Sequence, residues 1–359
     1  TISVELMAAT IFTAKLSKLN GEPLKKFTLS SRSMVEEITK KIESASTEGL
    51  LTSSIEKKKI KRSPKSPLRT SVLQQQASNK FGLNPKRTMQ IAQSLYAREG
   101  GGLITYIRTD SIEIDEGKLP NIRKKVVDLY GEEYLESRKF KNKKESKNIQ
   151  EAHGAITPVD ISVLPSDTKK LLNDDEQKIY RLIWERTIAS QMKDAVFERT
   201  SVEFVPKKES SLATFLFSDQ QLIFPGYLSA TNEEVTDNPP PNIKEESLVD
   251  LKNINKDQHF TDPPPRYNDA SMIKTLEEKG IGRPSTYADI LSKLTDRSYI
   301  LLKQKRYEPS DMGRLVSNFL NKSFCDYVSD EFTSQMENNL DAISNGQKTK
   351  KEVLDEFWE

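Results

Sequence analysis

The sequence predicts an α+β protein of more than one domain: a β-rich domain carries an inserted helical domain, and a second helical domain follows. Three observations predict it. Alternating, β-branched stretches open the chain (Val4, Leu6, Ile11 to Leu16) and return at Phe197, Val202, Phe204, Ala213 to Phe217 and Leu222 to Phe224. Helical periodicity fills the interval between them, including a long stretch from Asp174 to Met192. One pattern of helix, glycine turn and second helix occurs twice, around Gly82 and around Gly280.

Composition bounds the rest. A length of 359 residues suggests two or three domains at roughly 150 residues each. Lys plus Arg (55) nearly cancel Asp plus Glu (53), so the formal charge is +2 and bulk charge alone does not announce a partner for polyanions. A charged fraction of 30% beside 35% hydrophobic residues excludes a wholly disordered chain. There is no apolar run of about 18 residues and no charged segment leading into an apolar stretch, so a soluble cytoplasmic protein without a membrane span is expected. The single cysteine, Cys325, excludes an internal disulfide, and two histidines, His153 and His259, add little for a metal. The chain opens at Thr1 inside a strand-like pattern, so an excised piece of a longer protein is expected.

Taken in order, the opening strands and the Asn20-Gly21 dipeptide read as a hairpin, followed by a helix over Ser33 to Ile42. Lys57 to Pro67 holds six basic residues and no acid, and reads as a basic, proline-punctuated connector. From Ser71 the apolar spacing is helical and stops at Gly82. Asn84-Pro85 then caps a second helix with Met89, Ala92, Leu95 and Tyr96 on one face. Gly100-Gly101-Gly102 breaks it, and Leu103 to Asp110 reads as a strand with Tyr106, Arg108 and Asp110 on one side. A helix over Leu119 to Tyr130 and a basic run from Arg138 to Lys147 come next. Pro239-Pro240-Pro241 and Pro263-Pro264-Pro265 read as a loop and a domain border.

The second copy begins with a helix holding Ile273 and Leu276 that ends at Gly280. Arg283-Pro284-Ser285-Thr286 opens another, with Thr286 and Asp289 spaced as a capping box. Tyr299 to Tyr307 then forms a hairpin around a basic turn, Lys303 to Arg306. One constant offset sets Thr88 against Thr286. Two helix-turn-helix units with β wings are predicted, an arrangement that lays helices and their N-termini along DNA.

Tyr106 and Arg108 carry the chemistry. A tyrosine on a strand is ordinarily a packing residue. Beside it, however, a guanidinium favours the phenolate and neutralises a phosphate or a phosphorane forming on it. That combination suits phosphodiester transesterification.

Gly102-Leu103-Ile104-Thr105-Tyr106-Ile107-Arg108-Thr109-Asp110-Ser111 resembles the active-site tyrosine motif of type IA DNA topoisomerases. Further blocks follow in the family's order: Ser71 to Gln75 with Ala77, Lys86 to Gln93, Gln150-Glu151-Ala152-His153, Phe260-Thr261, Gly280 to Ala288, and Gln335-Met336-Glu337-Asn338. The resemblance implies that Tyr106 attacks a single-stranded phosphodiester to form a 5′-phosphotyrosine, that Arg108 stabilises the phosphate, and that rejoining needs no ATP. It implies DNA contacts for His153, Arg283, Thr286 and Gln93. It also implies a monomer that relaxes negatively supercoiled DNA in the bacterial nucleoid. Residues 1–66 and 197–265 would form a β-rich arch, 67–196 the winged-helix-like tyrosine domain and 266–359 a winged-helix-like remainder of the strand-binding domain.

Three departures stand out. Gly154 and Thr157 replace the family's Glu and Arg after His153, Pro67 to Ser71 carries Leu68 and Arg69 where the family has Phe and Thr, and Gln76 replaces a Glu. Type IA enzymes hold Mg²⁺ on an Asp-x-Asp cluster, and no Asp-x-Asp occurs here, so Mg²⁺ is expected only in a longer parent. This chain alone is expected to bind single-stranded DNA but to be incomplete for cleavage. The alternatives are a decatenating type IA enzyme, for which 231–246 is the one candidate insertion, and a non-catalytic winged-helix DNA-binding protein.

Overall fold

A computed structural model describes residues 1–142, 153–231, 233–235 and 240–358. Part of the basic run after Arg138, the residues Gln150 to Ala152 and part of the 231–246 stretch lie outside the described residues. The chain divides into two compact units, Thr1–Ser63 with Asp194–Pro263, and Pro64–Lys193 with Pro264–Glu359. Among the described residues no helix is long and apolar enough to cross a membrane.

The first unit contains β1 (Ile2–Met7), β2 (Ile11–Leu19), β3 (Glu22–Pro23), α1 (Arg32–Ala45), β4 (Leu50–Arg62), β5 (Ala195–Pro206), β6 (Ala213–Phe224) and β7 (Leu248–Lys256). The strands form one antiparallel sheet in the order β1-β7-β4-β5-β6-β2-β3, and β1 also pairs with β2, so the ladder closes on itself. Register explains the core. Val4 faces Ala14 on one side and Ile254 on the other, and Phe204 faces Phe215, so one face of each strand is apolar. Ile38, Ile42 and Ala45 of α1 complete the same buried cluster. Asn20 and Gly21 take positive φ values of 50° and 81° and turn β2 into β3.

Two stretches differ from the sequence expectation. Residues 57–62, read as a connector, are the far end of β4, laddered to β5 as far as Arg62 opposite Ala195. Charged side chains on both faces hide the alternation there, and the backbone ladder together with Ile60 opposite Phe197 makes the strand. β7 was not anticipated, because a register shift at Glu5/Leu6 breaks the period of its apolar residues Val249, Leu251 and Ile254.

The second unit contains α2 (Thr70–Phe81), α3 (Pro85–Tyr96), α4 (Leu119–Tyr130), α5 (Asp174–Ala189), α6 (Asp269–Glu278) and α7 (Tyr287–Asp296). The hairpin β8 (Ile300–Lys303) and β9 (Arg306–Pro309) follows, then α8 (Asp311–Ser323), α9 (Asp330–Ser344) and α10 (Lys350–Trp358). Gly82 (φ 68°) ends α2 in a left-handed cap, and Asn84 accepts from the Arg87 N–H at 2.8 Å to start α3. Gly280 (φ 71°) plays the first part after α6, whose own start is a reciprocal cap between Asn268 and Ser271. The two hairpins pack helix for helix, α2 on α6 and α3 on α7. Blocks 67–196 and 266–359, separated in the sequence reading, thus share one compact unit.

The β8–β9 hairpin forms as expected, turning through Gln304 and Lys305 at positive φ. The capping box at Thr286 does not form. Its Oγ1 accepts from the Arg283 N–H at 2.9 Å and donates back to the Arg283 carbonyl at 3.2 Å, so the hydroxyl closes a tight turn rather than reaching into α7. Tyr96 also departs from its expected place: it is exposed at the end of α3, while Thr88, Ile91, Ala92 and Leu95 form the buried face.

Candidate active site

The site begins where α3 ends. Gly100, Gly101 and Gly102 fold the chain back so that the Leu103 N–H donates to the Leu95 carbonyl at 2.8 Å. A Cβ on Gly102 would overlap the Tyr96 carbonyl, so only glycine lets the two segments lie this close. Leu103 to Asp110, predicted as a strand, is irregular backbone that bends at Leu103 and Ile107 and has a single isolated bridge, Ile104 to Pro158. Ile104 and Ile107 are both buried, which breaks the period of two.

Threonine hydroxyls hold this segment in place of a ladder. Thr70 Oγ1 donates to the Ile107 carbonyl at 2.7 Å and accepts from the Thr109 N–H at 2.9 Å. Thr105 Oγ1 donates to the Ala155 carbonyl at 3.0 Å and accepts from the Thr157 N–H at 2.9 Å, while the Thr105 N–H donates to the Thr157 carbonyl. Tyr106 is therefore pinned on both sides, by buried hydrogen bonds at Thr70 and part-buried ones at Thr105, each contributing about 1 kcal/mol net.

The Tyr106 ring, half-buried, lies between two others. His153 stands 4.6 Å away, centroid to centroid, tilted by 46°, and Tyr96 is edge-on at 5.6 Å. Thr109 Oγ1 donates to the His153 carbonyl at 3.2 Å, which fastens the histidine to the tyrosine segment while its imidazole stays exposed. Arg108 is exposed, and among the described residues its guanidinium has no ion-pair or hydrogen-bond partner. Gln93 is exposed on α3, one turn before Tyr96. Chemically, this sets a phenol against an exposed imidazole, with an exposed guanidinium two residues on in the chain.

Both departures beside His153 have a local explanation. A Cβ at Gly154 would stand 3.0 Å from the Glu113 carbonyl, so a larger residue would force that backbone to shift. Thr157 is buried as the backbone partner of Thr105, so its side chain does not reach the surface.

Arg283 and Thr286 belong to a second constellation in the same unit. Arg283 donates to Asp341 Oδ2 from Nε (3.1 Å) and from its terminal nitrogen (2.6 Å), and to the Gly280 and Gly282 carbonyls at 3.2 and 2.8 Å. Glu337 approaches to 3.9 Å. Beside it, Ser71 Oγ donates to Glu277 at 2.5 Å, and Arg69 Nε lies 3.1 Å from the same carboxylate without alignment for a hydrogen bond. Asp110, two residues past Arg108, faces this network. Burial foremost, then the charges of Glu277 and Asp341, push its carboxyl up to about 6 against the opposing pull of Arg283 and Arg69. Burial likewise raises the Tyr287 phenol.

Sequence reasoning missed Tyr96, Arg69, Asp110, Glu277 and Asp341 as parts of the site. The threonines at 105 and 109, flanking Tyr106, were the available signal for a segment held by hydroxyls. Asp110 stood within the tyrosine motif itself, whereas Glu277 and Asp341 come from distant parts of the chain and left no signal. Those carboxylates are committed to Arg69 and Arg283, and among the described residues no three His, Cys, Asp or Glu side chains gather to hold a metal ion. The described residues therefore do not fit Mg²⁺.

The family model for DNA topoisomerase matches residues 4–355. The chain belongs to the DNA topoisomerase family. Within it, the chain is 41% identical over 359 residues to DNA topoisomerase 1 of Rickettsia bellii, covering 97% of this chain and 44% of that one. The corresponding figures for the enzyme of Xylella fastidiosa are 38% over 363 residues, 97% and 44%. Full-length topoisomerase I from Thermotoga maritima superposes with a TM-score of 0.82 at 32% identity, covering 99% of this chain and 57% of that chain. The chain is thus a type IA topoisomerase fragment, spanning about half the length of these relatives.

Proposed function

We infer that Tyr106 is the nucleophile of a type IA topoisomerase acting on single-stranded segments of negatively supercoiled DNA. Its Oη attacks the phosphorus of a backbone phosphodiester, the P–Oη bond forms as P–O3′ breaks, and the phenolic proton leaves as the 3′ oxygen gains one. The 5′-phosphotyrosine conserves the bond energy, so the 3′-hydroxyl reverses the step without ATP once a strand has passed. Arg108 neutralises the phosphate as charge builds on its oxygens. His153, against the phenol ring, hydrogen-bonds the same phosphate. Gln93 contacts a neighbouring nucleotide, and Thr286, with Arg283 behind it, holds a phosphate near the start of α7. Mg²⁺, held by residues other than those described, would supply further charge neutralisation. On this reading the protein is a cytoplasmic monomer working on nucleoid DNA.

The observation that supports this is the pairing of the pinned Tyr106 with His153 at 4.6 Å, with the exposed Arg108 two residues on in the chain. The test is covalent capture of a 3′-labelled single strand by a full-length protein containing these residues. Tyr106→Phe is expected to abolish the adduct, and an adduct that persists overturns the assignment. This chain by itself is expected to bind single strands without relaxing plasmid. Efficient relaxation by it would overturn the dependence on residues elsewhere.

A second reading, a winged-helix module that binds without cleaving, is favoured by the β8–β9 hairpin with Lys303, Lys305 and Arg306 at its tip. Under it, Tyr106→Phe would change nothing.

A further inference from the structure

The basic stretch of β4 is not used by the tyrosine chemistry, and its register makes it unusual. Lys58 stands directly opposite Arg199 of β5, and Arg199 opposite Gln220 of β6. Like charges so placed repel and destabilise a strand pair. Both side chains are exposed, and among the described residues neither has an ion-pair or hydrogen-bond partner. Two positions on, Ile60, Phe197 and Leu222 form an apolar row, and Arg62 then follows on the same face. Its guanidinium covers the Phe197 ring at 4.3 Å and donates to Gln220 at 3.0 Å, so it is held in position. The acids on this face are Glu56 and Glu203, towards the other end, and Glu203 is engaged by Lys18 at 2.9 Å. The opposite face differs: Lys57, Lys59 and Lys61 are met by Glu198 and Asp219, and Lys57 pairs with Glu198 at 3.4 Å.

We propose that the Lys58–Arg199–Arg62 face of the first unit is a binding surface for the phosphate backbone of duplex DNA, additional to the single-strand contacts at the tyrosine site. A local rule broken without internal compensation marks a surface whose partner is external. The missing compensation is negative charge. From Lys58 to Arg62 the strand advances four residues at about 3.4 Å each, so the three cations spread over a row about 14 Å long, enough to meet more than one phosphate. Binders of single strands also present aromatic rings for bases to stack on. Here the one aromatic ring of the row, Phe197, is fully buried, so contact is through phosphates alone. The choice of polymer rests on the family reading; the surface itself does not depend on Tyr106.

The test is binding of a fluorescent blunt duplex, and separately of a single strand, to the whole chain as salt is varied. Lys58→Gln with Arg199→Gln removes two contacts, so the slope of log affinity against log salt for the duplex is expected to fall by about 1.8, at about 0.9 per contact. Between about 50 and 200 mM salt the difference amounts to about 12-fold in affinity. Lys57→Gln with Lys61→Gln removes equal charge from the other face and is expected to leave most of that slope in place. An unchanged duplex slope, an equal loss in the control pair, a loss confined to single strands, or no duplex binding by the parent chain would each overturn the proposal. Circular dichroism of each variant reports that the sheet is intact. Tyr106→Phe is expected to leave the duplex slope alone, so failure of the cleavage reading and failure of this surface are read separately.

Discussion

The imidazole of His153 lies against the phenol of Tyr106 with ring centroids 4.6 Å apart, and the hydroxyl of Thr109 ties the backbone of one to the segment of the other. The phenol is half-buried, whereas the imidazole is open to solvent.

His153→Ala is therefore expected to lower the rate of covalent adduct formation by about 100-fold, the scale of losing one positioned hydrogen bond to the developing charge. Because the ring is exposed, the change in stability should stay within about 0.5 kcal/mol. Single-turnover capture of labelled DNA beside a urea melt checks both parts.

Asp110 makes stability depend on pH. Its folded pKa, about 6, lies above the ordinary carboxylate value of 3.8, so the folded chain binds the extra proton between these values. Stability is then fully present below pH 3.8, falls as pH rises to about 6, and levels off above it. Asp110→Asn is expected to stabilise the chain at pH 7.5 by about 1–3 kcal/mol and to make little difference near pH 4. Urea melts of both proteins at the two pH values measure it.

Replacing Arg283 by Met breaks both bonds to Asp341 and both to the glycine carbonyls. The carboxylate left behind is largely shielded from water, so a loss of about 2–4 kcal/mol is expected. The paired variant Arg283→Met with Asp341→Leu should recover part of it. A double-mutant cycle that shows no coupling would refute the ion pair.

Gly102→Ala drives a methyl group into the Tyr96 carbonyl. Destabilisation of about 1–3 kcal/mol is expected from such overpacking. The same shift displaces Tyr106 relative to Tyr96, so adduct formation should fall together with the melting temperature. Gly101→Ala meets no neighbour and strains only its own φ of 121°, so it separates crowding from backbone strain.

Much of this was legible in the sequence, for physical reasons that can be named. The Gly82 stop and the Asn84-Pro85 start mark the α2–α3 turn because each satisfies backbone groups locally. Leu119 to Tyr130 emerged as a helix with the bounds expected of it. Tyr106 and His153, far apart in sequence, were both named as site residues, and the fold brings their rings together. What stayed hidden depends on partners distant in sequence. Lys57 to Arg62 carries charge on both faces and becomes a strand only through its ladder with β5. Leu103 to Asp110 alternates like a strand, yet its backbone at Ile107 and Thr109 is bonded by the hydroxyl of Thr70 rather than by a neighbouring strand. The junction of Glu277 with Ser71 joins residues that no local pattern relates.

The chain crosses between its two units three times, after Ser63, after Lys193 and after Pro263. Neither unit is a continuous stretch, and Ile2 pairs with Lys256, far along the chain. Pairings so remote in sequence are slow to form. A protease that cuts only at the middle crossover severs the chain without taking either unit apart. Denaturing gels should then show two fragments, while gel filtration under native conditions returns a particle of unchanged size.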